Sequence, residues 1–259
     1  QVGGSKGPYH LKKANFGPGG GGQLELLFTA DPSKFYISLY NMKTSADKGI
    51  TAINTVVDTN NVLEFAAVAG ATYDAFLPEI ALTYAFANDV FSASLGGLMH
   101  TFKLKPAAND TVQITSFGVG AKLGITAGIF GFGAAGCYVV NPGVIGGVGD
   151  RGFCGLSYPL NKTEGDLANN SFIGFAADID LKLGEVASTE VGFGYGFNMM
   201  DIEGFENDAH MSGHLQFSFT ALEAIAMVPE VGLDKDLADY NGNEGDMTFY
   251  FLLNNKISF

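Results

Sequence analysis

The dominant feature of this sequence is an alternation with a period of two residues, and it restricts the fold more than any other property. Apolar residues occupy every second position in residues 80–86, 175–183, 191–197 and 215–219, and small or polar residues lie between them. Successive side chains of a β-strand point to opposite faces of a sheet. Each segment therefore predicts a strand with one apolar face and one small or polar face.

A membrane-spanning β-barrel explains this pattern better than a soluble secreted β-sandwich, which also alternates. Many segments reach about ten residues, which is the span of a tilted transmembrane strand. Short candidate turns at residues 31–34 and 88–89 contrast with long candidate loops at 138–170 and 232–245. Short periplasmic turns and long outer loops are typical of outer-membrane barrels. A closed barrel also satisfies every backbone polar group inside lipid.

The alternation predicts one domain over residues 1–259, an all-β antiparallel barrel of about fourteen strands. The predicted strands lie near residues 8–16, 22–30, 34–43, 51–58, 62–73, 78–88, 91–104, 111–123, 125–137, 171–183, 188–200, 210–222, 224–231 and 246–259. About twelve strands is the alternative, if the pair 8–16 and 51–58 is wrong. Because the last strand should run toward the periplasm, loops 138–170 and 232–245 are expected outside and turn 31–34 inside.

Composition supports a membrane protein and excludes one class of partner. Only 16% of residues are charged and the net charge is −13, whereas nucleic acid requires a basic surface. Residues 123–149 hold no charge and could span a bilayer as a helix, but their nine glycines and their alternation argue against a helix. The chain lacks Trp, so interfacial aromatic girdles would consist of Phe and Tyr.

The chain start and the two cysteines bear on the compartment. No apolar signal-peptide segment is visible after Gln1, which predicts either a cytosolic protein or the mature form of an exported one. Cys137 and Cys154 flank a Gly-rich stretch, and an even pair around a loop predicts a disulfide formed outside the cytoplasm. Two free buried thiols are the alternative.

The end of the chain carries a further signal. One face of the last predicted strand consists of Met247, Phe249, Phe251, Leu253, Asn255, Ile257 and Phe259. This strand resembles the C-terminal strand of bacterial outer-membrane proteins, in which a terminal aromatic residue follows alternating apolar residues. The resemblance implies a location in the outer membrane of a Gram-negative bacterium, contact with its lipids, and recognition of the strand ending at Phe259 by the barrel-assembly machinery.

If the apolar residues face lipid, the other phase of the alternation lines the lumen. The residues predicted to line the pore are Glu64, Thr83, Ser92, His100, Asp178, Asp180, Lys182, Glu190, Asn198, His214, Gln216 and Lys256. Carboxylates outnumber lysines among them, and charged rings set ionic selectivity in pores. The sequence therefore predicts a porin-like channel for passive diffusion of small hydrophilic solutes, with a preference for cations and with residues 138–170 as an outer or constriction loop.

Two motifs resemble known functional sites, and each also has a simpler structural explanation. Residues 131–136 match G-x-G-x-x-G, but a strand and a turn follow instead of the helix that a dinucleotide site needs. His210 and Ser212 resemble the His-x-Ser pair of outer-membrane lipid hydrolases, although their strand face is the lumen side. His210 and His214 are about 13 Å apart on a regular strand, too far for one metal ion.

The preferred interpretation is thus a channel that is not an enzyme and has no cofactor and no metal. A barrel with a closed lumen that acts as a scaffold or binds at the surface is the first alternative, and a lipid hydrolase is the second. A fold alone does not fix a function. A homo-oligomer remains open, because no interface patch stands out in the sequence.

Overall fold

The structure, a computed structural model, describes residues 23–40, 53–57, 63–67, 72–74, 77–105, 112–141, 160–161, 169–200, 206–222, 225–239 and 241–257. Every element of regular structure in this part of the chain is a strand. The strands are β1 (Gln23–Ala30), β2 (Ser33–Tyr40), β3 (Ile53–Val57), β4 (Leu63–Ala67), β5 (Thr72–Asp74), β6 (Glu79–Ala87), β7 (Phe91–Lys105), β8 (Val112–Ala127), β9 (Phe130–Val140), β10 (Leu160–Asn161), β11 (Asn170–Lys182), β12 (Ala187–Met200), β13 (Asp208–Leu222), β14 (Ile225–Ala238) and β15 (Met247–Ile257). No helix in these ranges is both long and apolar enough to cross a bilayer.

One large antiparallel sheet, called the main sheet below, organises the molecule. Its strands pair in the order β1-β2-β6-β7-β8-β9-β11-β12-β13-β14-β15, and the short β5 pairs with the end of β7. Apart from the inserted β3, β4, β5 and β10, each strand thus pairs with its sequence neighbour. This meander is the simplest way to satisfy backbone hydrogen bonds in successive alternating segments.

Short and long connections lie at opposite ends of the main sheet. The connections β1–β2, β6–β7, β8–β9, β11–β12 and β13–β14 contain only a few residues each and share the end called here the turn end. The connections that follow β2, β7, β9, β12 and β14 share the opposite loop end. The expectation that loops 138–170 and 232–245 lie opposite turn 31–34, and that the last strand runs to the turn end, is confirmed, since Ile257 pairs with Ile225 beside the β13–β14 turn.

The strand count needs two corrections. Strands 51–58 and 62–73 were predicted in the barrel wall, but β3 pairs with both β4 and β10 in a separate three-stranded sheet, and β5 only extends the edge of β7. Glu64 lies on β4 and is therefore not a residue of the main sheet. The predicted loop 232–245 is shorter than expected, because β14 continues to Ala238.

The two edge strands of the main sheet, β1 and β15, run in the same direction, from the loop end to the turn end. A ring of alternating strand directions can close only if an odd number of further strands lies between them. The predicted strand at 8–16 lies outside the described residues. It would bring the wall to about twelve strands, and this count stays a prediction.

The faces of the main sheet differ in exposure, as the alternation predicts. Leu82, Leu95, Val191 and Phe251 lie on the outer face and keep 46%, 61%, 55% and 65% of their surface exposed. Facing partners in the regular parts of the ladder fall on the same face; for example, Val191 pairs with Leu215, which pairs with Val231. An apolar face this extensive is far larger than the patches that soluble monomers expose.

The core lies on the inner face and toward the loop end. Its apolar side chains include Leu98, Phe102, Val139 and Phe172, all at most 5% exposed. Inner-face side chains near the turn end, such as Ser92, Lys122, Lys182 and Thr220, are exposed. The sheet therefore curls around its inner face, encloses side chains at the loop end and stays open at the turn end.

Candidate functional site

Glycines on the inner face let larger side chains lie flat against the strands. An added Cβ at Gly174 would come within 2.8 Å of the Phe172 ring, and one at Gly196 within 2.9 Å of the same ring. The His214 ring covers Gly192 in the same way, and the Tyr250 ring covers Gly232. Because glycine has no side chain, neighbouring strands can hold these rings along the wall instead of across the interior.

A cavity of about 350 Å³ opens at the turn end of the inner face. Asp178 and Asp180 of β11 border it together with Lys122 of β8 and Ser92 of β7. The carboxylate of Asp178 lies over Gly133, since a Cβ there would meet both oxygens at 2.7 Å. The glycines of β9 thus allow carboxylates from β11 to reach across toward β8.

A second cluster of ionisable groups covers the inner face of β12, β13 and β14, and is called the acidic wall. Its acids are Glu190, Asp208, Glu230, Asp234 and Asp236. His214 Nε2 lies 3.1 Å from Glu190 Oε1, and Tyr250 donates a hydrogen bond of 3.0 Å to Glu230 Oε1. His210 contacts Asp236 through Nδ1 at 2.6 Å and Asp234 through Nε2 at 2.9 Å.

Polar side chains are also buried at the loop end of the inner face. Glu79, His100 and Ser116 are at most 1% exposed, and the His100 ring stacks on Phe102 at 5.3 Å. Ser116 donates a hydrogen bond of 2.7 Å to the carbonyl oxygen of Asn141. These side chains are therefore packed on the inner face at the loop end, whereas those near the turn end are exposed.

The hairpin between β14 and β15 is held at the loop end by Asp239. Its carboxylate accepts hydrogen bonds from the backbone N–H groups of Asn241 and Asn243, both at 2.9 Å, and from the Asn243 amide at 3.0 Å. Partial burial alone would raise the pKa of Asp239, but these hydrogen bonds outweigh it and hold the pKa below its usual value. Gly242 supplies the left-handed turn residue with φ of 76°.

Similarity to solved structures identifies the fold. No protein-family model and no curated protein sequence matches the chain. The outer membrane channel DcaP of Acinetobacter baumannii superposes with a TM-score of 0.66 at 15% identity, over 90% of this chain and 61% of that one. The OmpT loop L8 deletion mutant of Vibrio cholerae gives 0.53 at 9% identity, over 90% and 62% of the chains, and the anion-selective porin from Comamonas acidovorans gives 0.52 at 12%, over 92% and 59%.

The chain has the fold of a bacterial outer-membrane β-barrel. It spans about three fifths of the length of these proteins, since the superpositions cover 61%, 62% and 59% of their chains. The outer face is accordingly the lipid face of the barrel, and the inner face surrounds the lumen. This agrees with the predicted all-β antiparallel architecture.

The barrel brings most of the predicted pore-lining residues to one face. Those on lumen-side positions of the wall are Thr83, Ser92, His100, Asp178, Asp180, Lys182, Glu190, Asn198, His214, Gln216 and Lys256. Glu64 is the exception, as described above. Only some of these side chains are accessible, since His100 and Asn198 are packed at the loop end. That the accessible ones line a conducting pore stays a prediction.

Sequence reasoning missed the partners of His210. Asp234 and Asp236 were placed in the predicted loop 232–245. Apolar Leu233 and Leu237 alternate with these two acids, and this alternation was the available signal that β14 extends through them.

The predicted Cys137–Cys154 disulfide is not supported. Cys137 is a free thiol, and Cys154 lies outside the described residues. The prediction placed Cys137 at a strand end next to a loop, but β9 continues to Val140 and Cys137 pairs with Gly120 and Gly174 inside the ladder. The alternative of a free, partly buried thiol is the one that fits Cys137.

The places of the two sequence motifs in the fold show how each should be interpreted. Residues 131–136 lie within β9, so the G-x-G-x-x-G match is part of a strand. His210 and Ser212 share the lumen face and are each 7% exposed. Both ring nitrogens of His210 contact carboxylates, which leaves neither to accept a proton from Ser212. In the described part of the chain, no three candidate ligands are grouped as a metal site requires.

The glycine packing gives a test of the lumen geometry. Gly192→Ala is expected to destabilise the barrel by about 1–3 kcal/mol, because the new methyl group must displace the His214 ring from Glu190. Gly213→Ala on the neighbouring strand is the control, since its Cβ would meet nothing closer than 3.8 Å. Urea unfolding in detergent micelles measures both variants, and equal effects would contradict the packing of His214 over Gly192.

Proposed function

We propose that this protein is a channel of the bacterial outer membrane through which small hydrophilic solutes diffuse passively, with a preference for cations. The observation that carries the proposal is the sidedness of the main sheet. Its lipid face is apolar, while its lumen face is polar and opens into the cavity at the turn end. Water and ions can occupy a polar lumen but not the lipid face.

The names of the similar structures support the same proposal. DcaP is called an outer membrane channel, and the Comamonas acidovorans protein is called a porin. Identities of 15% and 12% carry the fold only, so channel activity depends on this chain's own lumen. The turn end would face the periplasm, and the C-terminal strand would be recognised by the barrel-assembly machinery.

The cation preference rests on the balance of charges on the lumen face. The acids there include Asp178, Asp180 and the whole acidic wall, and the lysines with described side chains are Lys34, Lys122 and Lys182. A lumen with excess carboxylate concentrates cations and repels anions. The preference follows from these residues and not from the fold, since one similar structure is an anion-selective porin.

A closed lumen is the second candidate, and one observation favours it. Phe102, Val139 and Phe172 are at most 4% exposed on the lumen face at the loop end. A barrel filled at one end could serve as a scaffold or a surface-binding protein. We favour the channel because the charged groups of the acidic wall and of the cavity would cost free energy if a filled lumen excluded water from them, whereas a water-filled lumen solvates them.

Reconstitution in a planar bilayer tests the proposal directly. We expect stepwise currents in KCl, and under a tenfold salt gradient a reversal potential of cation sign, for which ideal selectivity gives about 59 mV. Heat-unfolded protein in the same detergent is the control for detergent artefacts. A folded barrel that carries no current would contradict the channel and favour the closed lumen.

A further inference from the structure

The most tightly held ionisable group of the lumen is His210. Its ring is buried, with the side chain 8% exposed, and lies between two carboxylates of the neighbouring strand β14. Nδ1 is 2.6 Å from Asp236 Oδ1, and Nε2 is 2.9 Å from Asp234 Oδ1. The two acids can reach opposite edges of one ring because residues two apart on a strand share a face.

This geometry fixes which charge state of the ring fits the site. Carboxylate oxygens only accept hydrogen bonds, so both ring nitrogens must donate, and only the imidazolium has two N–H donors. With the ring charged, the three groups carry a net charge of −1, because one positive charge offsets one of two negative charges. When the ring loses a proton, no positive charge is left beside the two carboxylates. The deprotonated ring nitrogen then turns a lone pair toward a carboxylate oxygen, and that contact becomes repulsive.

The other charged groups around His210 do not offset that change. Asp208 lies two residues away on the same strand, and β12 contributes only Glu190, which is paired with His214. Glu230 follows on β14 toward the turn end and accepts a hydrogen bond from Tyr250. The lumen-side lysines with described side chains are on β2, β8 and β11, and the nearest of them, Lys182, pairs with Ser188 at the turn end of β12, whereas His210 lies toward the loop end. Among the described side chains of the acidic wall there is no lysine or arginine.

The position of His210 in the lumen makes its charge relevant to passing ions. On the lipid face Lys235 pairs with Met211 and Met247, and a lysine at this level marks the edge of the apolar band. His210 lies one residue nearer the loop end than Met211. Asp236 lies on the same face, and its side chain is 66% exposed, so it is accessible from solution at this end of the lumen.

We infer that His210 determines the ion selectivity of the channel, because its proton switches the neighbouring carboxylates of the acidic wall between partly neutralised and uncompensated. The inference rests on the proposed channel function and adds a named selectivity residue to it. Cation preference is strong when the ring is neutral and weak when the ring is charged. Histidine is the side chain suited to such a change near neutral pH.

The experiment measures the cation-to-anion permeability ratio of the full chain in planar bilayers under a KCl gradient, between pH 6 and pH 9. Most carboxylates are ionised over this interval, so the contribution of His210 is measured as the difference between the wild type and a variant that lacks its imidazole. The wild-type ratio is expected to rise by about twofold or more with pH. His210→Gln removes the charge and keeps an amide donor, and His210→Lys fixes a positive charge over the whole interval.

The two variants should bracket the wild type. His210→Gln is expected to show the high ratio throughout, and His210→Lys the low ratio throughout. Heat-modifiable migration on gels confirms that each variant is folded. A wild-type ratio independent of pH, or a His210→Gln ratio that shifts as the wild type does, overturns this inference alone. Wild-type protein without current at any pH overturns the channel function as well.

Discussion

Replacing Leu215 by lysine is expected to destabilise the folded barrel by about 2–4 kcal/mol, the cost of a cation near the bilayer midplane. Leu215 lies near the middle of β13 on the lipid face, where it is 48% exposed and pairs with Val191 and Val231. An ammonium group there must leave water for hydrocarbon, and a residue at mid-strand lies far from either headgroup region, which limits snorkelling.

The adjacent residue provides the control. Gln216 has its side chain on the lumen face, between Glu190 and Glu230 in the ladder. Gln216→Lys adds the same charge next to two carboxylates, and we expect its stability to stay within about 0.5 kcal/mol of the wild type. Urea unfolding from lipid vesicles, followed by Tyr fluorescence, measures both. If Gln216→Lys were the more destabilising variant, the assignment of the two faces would be reversed.

The sequence allowed the strands and faces of the wall to be predicted in detail. The predicted strands 78–88, 91–104 and 188–200 correspond to Glu79–Ala87, Phe91–Lys105 and Ala187–Met200. This success has a local cause. A strand with lipid on one side and a polar lumen on the other must alternate residue by residue, so the pattern survives in a single sequence.

The alternation of residues could not predict which distant strands pair with each other. Residues 51–58 and 62–73 alternate well enough to resemble wall strands, yet β3 and β4 join β10 instead, and alternation does not encode the partner of a strand. The same limit applies to Cys137, whose place inside β9 depends on how far its ladder with β11 extends.

The residues of the candidate site were partly predictable for the same reason. The phase of alternation places His214, Glu190 and Gln216 on one face, and the ladder confirms that they are neighbours. The contacts of His210 could not be predicted, because they depend on the register between β13 and β14 and on the irregularity between Ala209 and His210. A one-residue difference in register would have turned Asp234 and Asp236 toward lipid.

Fold and selectivity are separable in a barrel of this kind. The backbone ladder determines the lumen's shape, whereas the charges of its lining determine which ions enter. A superposition with an anion-selective porin at 12% identity therefore leaves the sign of selectivity in this protein to its own side chains. The test variant and its control must therefore change the net charge of the protein by the same amount, and only the test variant may change charges in the lumen.

The triple substitution Glu190→Gln, Glu230→Gln and Asp234→Asn is expected to abolish most of the cation preference. Each amide is nearly isosteric with its carboxylate and keeps an oxygen that accepts hydrogen bonds, so the contacts of His214, Tyr250 and His210 persist as neutral ones. Three negative charges leave the acidic wall, and the reversal potential in a tenfold KCl gradient should fall toward zero from its cation-selective value.

The matched control removes the same charge from outside the lumen. Asp89→Asn, Glu185→Gln and Glu244→Gln change three exposed residues in the connections β6–β7, β11–β12 and β14–β15, so the net charge is identical in both triple variants. Charges outside the lumen act through solvent and are screened within about 8 Å at physiological ionic strength. The control should therefore keep the wild-type reversal potential, and an equal loss in both variants would mean that overall charge, and not the acidic wall, attracts the cations.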